Sequence, residues 1–164
     1  MRPTAQQLTS ERLTLEPLRV DHAAEMVAVL ADPAMYEFTG GEPPSDADLT
    51  ARYRRQTAQD DWLNWILHLR STGEAVGTVQ ATLGDDAAEL AWVVSRRFQG
   101  AGYAQEGTAA AIAWLRANDV HSFHAHIHPD HAASKAVAAR LDFEPTGSIR
   151  NGEVCWELPA RCHN

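Results

Sequence analysis

Ser95-Arg96-Arg97-Phe98-Gln99-Gly100-Ala101-Gly102-Tyr103-Ala104 is the stretch on which the reading of this chain turns. It follows the apolar run Leu90-Ala91-Trp92-Val93-Val94 and leads into an alanine-rich segment of helical character. Strand, glycine-bearing loop, helix start: that order builds an anion cradle. Glycine lets the backbone approach an anion closely, and the first amides of a helix have no intrahelical acceptor. A concave run of such N–H groups holds a phosphate without any lysine. The spacing is not the dinucleotide fingerprint G-x-G-x-x-G, and it lacks the Lys-Ser/Thr end of a P-loop.

Outward from the loop, the pattern predicts a regular succession of elements. Residues 11–18 alternate Leu13 and Leu15 as a half-buried strand, with Pro17 near its end. Asp21 is placed to cap a helix to about Leu30, carrying Ala24, Met26, Val27 and Leu30 at near-helical spacing, and Asp32-Pro33 breaks it. Residues 34–41 are less regular, and Gly40-Gly41-Glu42-Pro43-Pro44 is loop. Ser45 with Asp48 makes an Asp-bearing capping box that opens a polar helix to about Gln59. Strands at 65–70 and 75–83 flank the turn Ser71-Thr72-Gly73-Glu74, and Gly84-Asp85-Asp86 turns into a strand at 88–94.

Residues 103–118 form the strongest helical segment, with Ala109, Ile112, Ala113 and Leu115 on its apolar side. A strand at 121–128 ends at Pro129, and a helix from Asp130 or His131 runs to about Asp142. The runs 143–150 and 153–158 close a hairpin around Asn151-Gly152. This order predicts a mixed α/β layer structure, expected as a single domain over residues 1–164 without repeat or linker.

Composition sets the outer bounds. At 164 residues, 45% hydrophobic and 22% charged, the chain has the size and balance to bury a core. The formal net charge of −8 argues against nucleic acid as a partner and mildly favours a cationic one. No apolar run approaches the roughly 20 residues needed to span a bilayer. The opening Met1-Arg2-Pro3-Thr4-Ala5-Gln6-Gln7 has no secretory apolar stretch, so a cytoplasmic place without membrane contact is expected. Cys155 and Cys162 lack both metal-ligand and C-x-x-C spacing and are expected to be reduced thiols.

The spacing Arg97-x-x-Gly100-x-Gly102 resembles the R/Q-x-x-G-x-G/A motif of the GNAT superfamily of N-acyltransferases. Ser10-Glu11-Arg12-Leu13-Thr14-Leu15-Glu16-Pro17-Leu18 looks like the first strand of its ribosomal-protein N-terminal acetyltransferase-like branch. Glu89-Leu90-Ala91-Trp92-Val93-Val94 is similar to that branch's fourth strand. His131-Ala132-Ala133-Ser134 and Leu141-Asp142-Phe143 stand where it shows N-x-x-S and L-G-F. The match is colinear over nearly the whole chain.

The resemblance implies a central, mostly antiparallel sheet with helices on both faces. Strand four carries a bulge and splays from strand five, and the pantetheine arm of acetyl-CoA lies in the gap. It implies acetyl transfer from acetyl-CoA to a primary amine by direct attack in a ternary complex, with no metal required. Binding of the donor then falls to Trp92, Val93, Val94, Arg97, Phe98, Gln99, Gly100, Ala101, Gly102, Tyr103, Ala104, His131, Ser134 and Lys135. One N–H near Trp92, Val93 or Val94 faces the thioester carbonyl and steadies the oxyanion. Arg140 is a further phosphate candidate, although Lys135 and Arg140 equally suit a solvent-facing helix side.

Ser134 matches the serine that protonates the departing thiolate, with a helix-capping role as its alternative. Glu89 leads as the base by position, on the same strand side as Ala91 and Val93; a hydrated strand-end glutamate, or attack by an amine deprotonated in a desolvated site, is the alternative. His131 for asparagine and Asp142 for glycine depart from the family pattern. Tyr36 and Phe38 map to the acceptor side, with Glu37 or Glu42 to attract an ammonium group, and so does the last hairpin at 148–153. The acceptor is a small-molecule or peptide amine, and the protein a monomer or homodimer.

Two rival readings remain at this level. His126, His128, Asp130 and His131 fit H-x-H-x-D-H, a pattern of metal-dependent hydrolases, but only His163 follows as a further histidine ligand. His124, His126 and His128 share one strand face and could trap nickel or zinc adventitiously, or lend a proton acceptor to the site. The other rival is an acyl-CoA-binding sensor that has lost catalysis, which turnover with any amine distinguishes.

Overall fold

The structure, a computed structural model, describes residues 2–159, so Cys162 and His163 lie outside the described residues. Eight strands form one sheet: β1 (Leu8–Thr9), β2 (Leu13–Pro17), β3 (Trp62–Leu69), β4 (Ala75–Leu83), β5 (Ala88–Val94), β6 (Phe123–Ile127), β7 (Glu144–Arg150) and β8 (Glu153–Leu158). Their spatial order is β1-β2-β3-β4-β5-β6-β8-β7. All neighbours are antiparallel except β5 and β6, which run parallel. Because the two-residue β1 comes first, the expected fourth and fifth strands are β5 and β6. Strand β3 begins earlier than its apolar pattern suggests, since Trp62 and Asn64 pair with Thr82 and Gln80.

Alternation along β3 sends Ile66 and Leu67 to opposite faces. Leu67 joins Leu13, Leu15, Leu90 and Phe123 in one core, covered by α3 (Tyr103–Ala117) and α4 (Ala132–Arg140). Ile66 joins Met26, Leu49 and Tyr53 in a second core, under α1 (Ala23–Val29) and α2 (Asp46–Thr57). Helices therefore lie on both faces, as expected. The Ser45–Asp48 capping box is present at the start of α2.

Two local expectations are corrected. Asp21 does not cap a helix: it lies in a 3-10 turn over Val20–His22 and pairs with Arg19 at 3.0 Å. The buried His22 is the N-cap residue of α1 and makes no side-chain cap bond to it; its Nδ1 accepts the Arg19 amide at 2.9 Å, bracing the 3-10 turn. On α3, the buried side is Gly107, Thr108, Ala111, Ile112 and Leu115, while Ala109 and Ala113 are exposed. Alanine-rich helices give little contrast between faces, and glycine at 107 is what lets the helix meet the Leu67 methyls, 3.0 Å from where a Cβ would sit.

Strands β5 and β6 pair only through Ala88↔Phe123 and Glu89↔His124, then part. The splay is as expected; the bulge is not, because β5 advances one-for-one against β4 from Leu83↔Ala88 to Gly77↔Val94. Gly77 permits this close ladder. A Cβ there would overlap the Val93 carbonyl oxygen and stand 2.9 Å from the Val94 Cα, both backbone atoms that cannot swing aside. Gly77→Ala is therefore expected to destabilise the fold by about 3 kcal/mol, read as a lower urea midpoint.

Candidate active site

The glycine loop is built as a left-handed turn into a helix. After β5, the Ser95 amide returns to the Val76 carbonyl at 2.8 Å and a 3-10 turn covers Arg96–Phe98. Gly100 and Gly102 then adopt φ of +83° and +85°, and Tyr103 begins α3. That region strains any residue with a Cβ. A Cβ at Gly100 would meet no atom within 4 Å, so the loop leaves open space on that side.

Arg12 holds the loop in place, a role its own sequence surroundings do not reveal. Its Nη1 donates to the Ala101 carbonyl at 2.8 Å, its Nε to Glu106 Oε1 at 2.7 Å, and its guanidinium lies 4.5 Å from the Tyr103 ring centre. Ser10 Oγ and the Arg12 amide both donate to Glu106 Oε2, at 2.5 and 2.8 Å. Burial alone raises the Glu106 pKa, but these hydrogen bonds and the Arg12 charge outweigh it and hold the carboxyl below its ordinary range.

A carboxyl depressed on folding stabilises above its unfolded pKa and loses that contribution as pH falls through the folded value. Glu106→Gln is thus expected to cost about 1 kcal/mol at neutral pH. The difference from wild type should shrink below about pH 4, measured by urea melts across pH.

The other loop residues divide by task. Gln99 Nε2 donates to the Val94 carbonyl at 3.0 Å and closes the strand end. Arg97 pairs with Glu74 at 3.0 Å and lies over the Phe98 ring, its side chain largely exposed. Ala101 is exposed, and Phe98, Tyr103 and Ala104 are half-buried.

The gap between β5 and β6 is the second component. The Ala88 amide donates across to Ser122 at 3.0 Å, so by strand alternation the backbone groups of Trp92 also point toward the β6 side, where no strand receives them. Val93 points its backbone to β4, and its side chain is 40% exposed on the other face. The Trp92 ring meets Phe143 edge-on at 6.3 Å, and its Nε1 is buried with no hydrogen-bond partner among the described residues. An orphaned donor beside an unpaired strand edge fits a ligand that carries amide carbonyls.

At the point where the strands part stands Glu89. Its Oε1 lies 2.5 Å from His126 Nδ1 and accepts from Arg150 Nη2 at 2.9 Å. The ring of His124 is 5.6 Å from that of His126, edge to face. Burial depresses the pKa of His124, the charges of His126 and Arg150 add to this, and Glu89 and Glu157 oppose it. Glu89 is therefore not a hydrated strand end; it is half-buried and twice bonded.

Ser134 sits in the first turn of α4 with Oγ 3.4 Å from His131 Nε2. His131 is the N-cap residue and makes no side-chain cap bond. Its ring stacks on Phe38 at 4.8 Å and 18°, and Phe38 also meets His128 at 5.1 Å. Burial lowers the His131 pKa and the nearby His128 charge adds to it. The structure thus brings Phe38 to the β6–α4 junction. It turns Tyr36 inward instead, the hydroxyl donating to the Leu30 carbonyl at 2.9 Å.

Lys135 is half-buried and Arg140 exposed on α4. Asp142 takes φ +69°, the conformation that glycine would supply. The H-x-H-x-D-H residues do not converge: His126 faces Glu89, His128 and His131 pack on Phe38, and His128 Nδ1 accepts the Asp130 amide at 3.1 Å.

A family model described as an acetyltransferase (GNAT) domain matches residues 12–144. No curated protein matches the chain in sequence. Among solved structures, a GNAT-family acetyltransferase from Bacillus anthracis is similar at 16% identity, over 94% of this chain and 98% of that one, with a TM-score of 0.81. An acetyl transferase from Salmonella typhimurium, which modifies the N-terminal serine of a 50S ribosomal subunit protein, is similar at 17% identity over 95% and 100%, TM-score 0.82. A ribosomal alpha-N-protein acetyltransferase in complex with coenzyme A is similar at 18% over 94% and 98%, TM-score 0.81.

Proposed function

The chain belongs to the GNAT acetyltransferase family, enzymes that move an acetyl group from acetyl-CoA to an amine, and from that premise we propose how its own residues do so. The observation that carries the reading is the parting of β5 and β6 immediately beside the glycine loop. The amides of residues 100–104 take the donor's pyrophosphate, helped by Lys135 and by Arg97 once it leaves Glu74. The Trp92 backbone carbonyl and its orphaned indole N–H receive the pantetheine amides in the gap, which leaves the backbone N–H free for the thioester. Val93 and Val94 flank that strand edge, and His131 steadies the far wall from α4.

Bound acetyl-CoA supplies an activated acyl carbon. The protein supplies the rest: an N–H at Trp92 for the oxyanion, Glu89 to take the amine's proton with His126 behind it, and Ser134 to protonate the departing sulfur. The acceptor approaches from the α1–α2 face, where Phe38, Val93 and the β7–β8 hairpin meet the Glu89 side of the sheet. Its amine belongs to a peptide N-terminus or a small molecule. The whole chain acts as a single domain. No helix among the described residues is long and apolar enough to cross a membrane.

The test is free-thiol release from acetyl-CoA over a panel of amines that includes peptides with N-terminal serine, polyamines and aminoglycosides, with products read by mass. Turnover of at least one amine supports the reading. Saturable acetyl-CoA binding without turnover of any amine would turn it into the sensor reading.

A further inference from the structure

Glu89, His124 and His126 offer three ligand atoms, all within 4.8 Å of one another, at the apex of the parted strands. Two imidazoles and a carboxylate are by type a donor set for zinc, nickel or cobalt, not for calcium or magnesium. The histidines are held rigidly on alternate positions of one strand, facing the same side. Glu157, the register partner of His124, adds a second negative charge whose field reaches that imidazole. All three ligand residues are half-buried.

One feature already behaves as a cation there. The Arg150 guanidinium lies 2.9 Å from Glu89 Oε1 and 3.5 Å from His126 Nδ1, atoms of two of the three candidate ligand residues. Its side chain is 61% exposed and stands beside the Asn151-Gly152 turn, so it can swing into solvent. A metal ion on these residues and this guanidinium compete for the Glu89 carboxylate.

We propose that Glu89, His124 and His126 bind one zinc-class divalent ion in exchange for the Arg150 side chain, and that the occupied site brakes acetyl transfer by tying up Glu89 and closing the amine's approach. The metal site stands on the geometry alone; the brake rests on the function proposed above.

Calorimetry of chelator-stripped protein with zinc chloride tests the site, with the absorption spectrum of added cobalt(II) reporting its ligands. One equivalent of zinc should bind with micromolar affinity. His124→Gln should weaken binding at least tenfold, Arg150→Ala should tighten it about tenfold by removing a repelling charge, and a His128→Gln/His131→Gln control should bind as wild type. Folding of each variant is checked by circular dichroism.

Absence of saturable binding by folded wild type, equal binding by His124→Gln, or loss in the control pair would each overturn the site. With the site in hand, zinc should inhibit turnover competitively with the amine and reversibly with chelator. Zinc bound without inhibition overturns the brake alone. A metal-free protein that acetylates nothing overturns the proposed function, while calorimetry still decides the site.

Discussion

Gly100→Glu is expected to weaken acetyl-CoA binding at least a hundredfold while the protein still folds. The two halves of that expectation have separate causes. Gly100 sits at φ +83° with no atom within 4 Å of where a Cβ would stand, so the cost to folding is backbone strain alone, about 1–2 kcal/mol. The same open space is where the donor's phosphates must lie if the loop amides hold them. A carboxylate placed there excludes the pyrophosphate sterically and repels it. A hundredfold loss corresponds to about 2.7 kcal/mol, well within what displacement of a cradled dianion costs. Gly100→Ala separates the effects: it carries the strain without the charge and should lose less than tenfold. Calorimetric titration with acetyl-CoA, beside thermal melts, reads both. A glutamate variant that binds within threefold of wild type places the phosphates elsewhere.

Ser134→Ala is expected to lower kcat by about a hundredfold, the usual contribution of a positioned general acid, with little change in the KM for acetyl-CoA. Its fold should be unharmed. Ser134 caps nothing, since His131 holds the N-cap position, and alanine is the better helix former at this place. The discriminating measurement uses acetyl thioesters of thiols more acidic than coenzyme A. A departing thiolate that is stable without a proton needs no acid, so wild type and variant should converge on those donors. If Ser134 only shaped the helix start, the defect would be the same with every donor.

Much of this was legible in the residues. The order of elements from Leu13 onward, the NG hairpin, the Ser45–Asp48 box and the loop glycines are local signals, each found where expected; the two-residue β1 before them, made by pairing with β2, was not. Asp21 misled because a capping aspartate looks the same whether its carboxylate meets the helix amides or, as here, the Arg19 side chain. The helix over Tyr103–Ala117 misled about its buried side because alanines on both faces blur the period.

What the sequence could not show is anything made by distant contact. Arg12 reaches Ala101 and Glu106 across most of the chain, and no pattern near residue 12 announces it. Glu89, His126 and Arg150 come from three strands, and Arg150 on β7 reaches the other two across the interposed β8. Tyr36 and Phe38, two residues apart, could be assigned together as acceptor contacts, yet one turns back to the Leu30 carbonyl and the other crosses to His131.

The sheet's continuity across its middle rests on two residue pairs, Ala88 with Phe123 and Glu89 with His124. In mechanical terms the domain is a pair of leaves joined by a short spine, β1 to β5 on one side and β6, β8 and β7 on the other. In the function proposed above, a donor lying along the free edge of β5 serves as the missing strand between them. Substrate and architecture are then the same object: the fold leaves itself one seam short, and the molecule it consumes is what closes it.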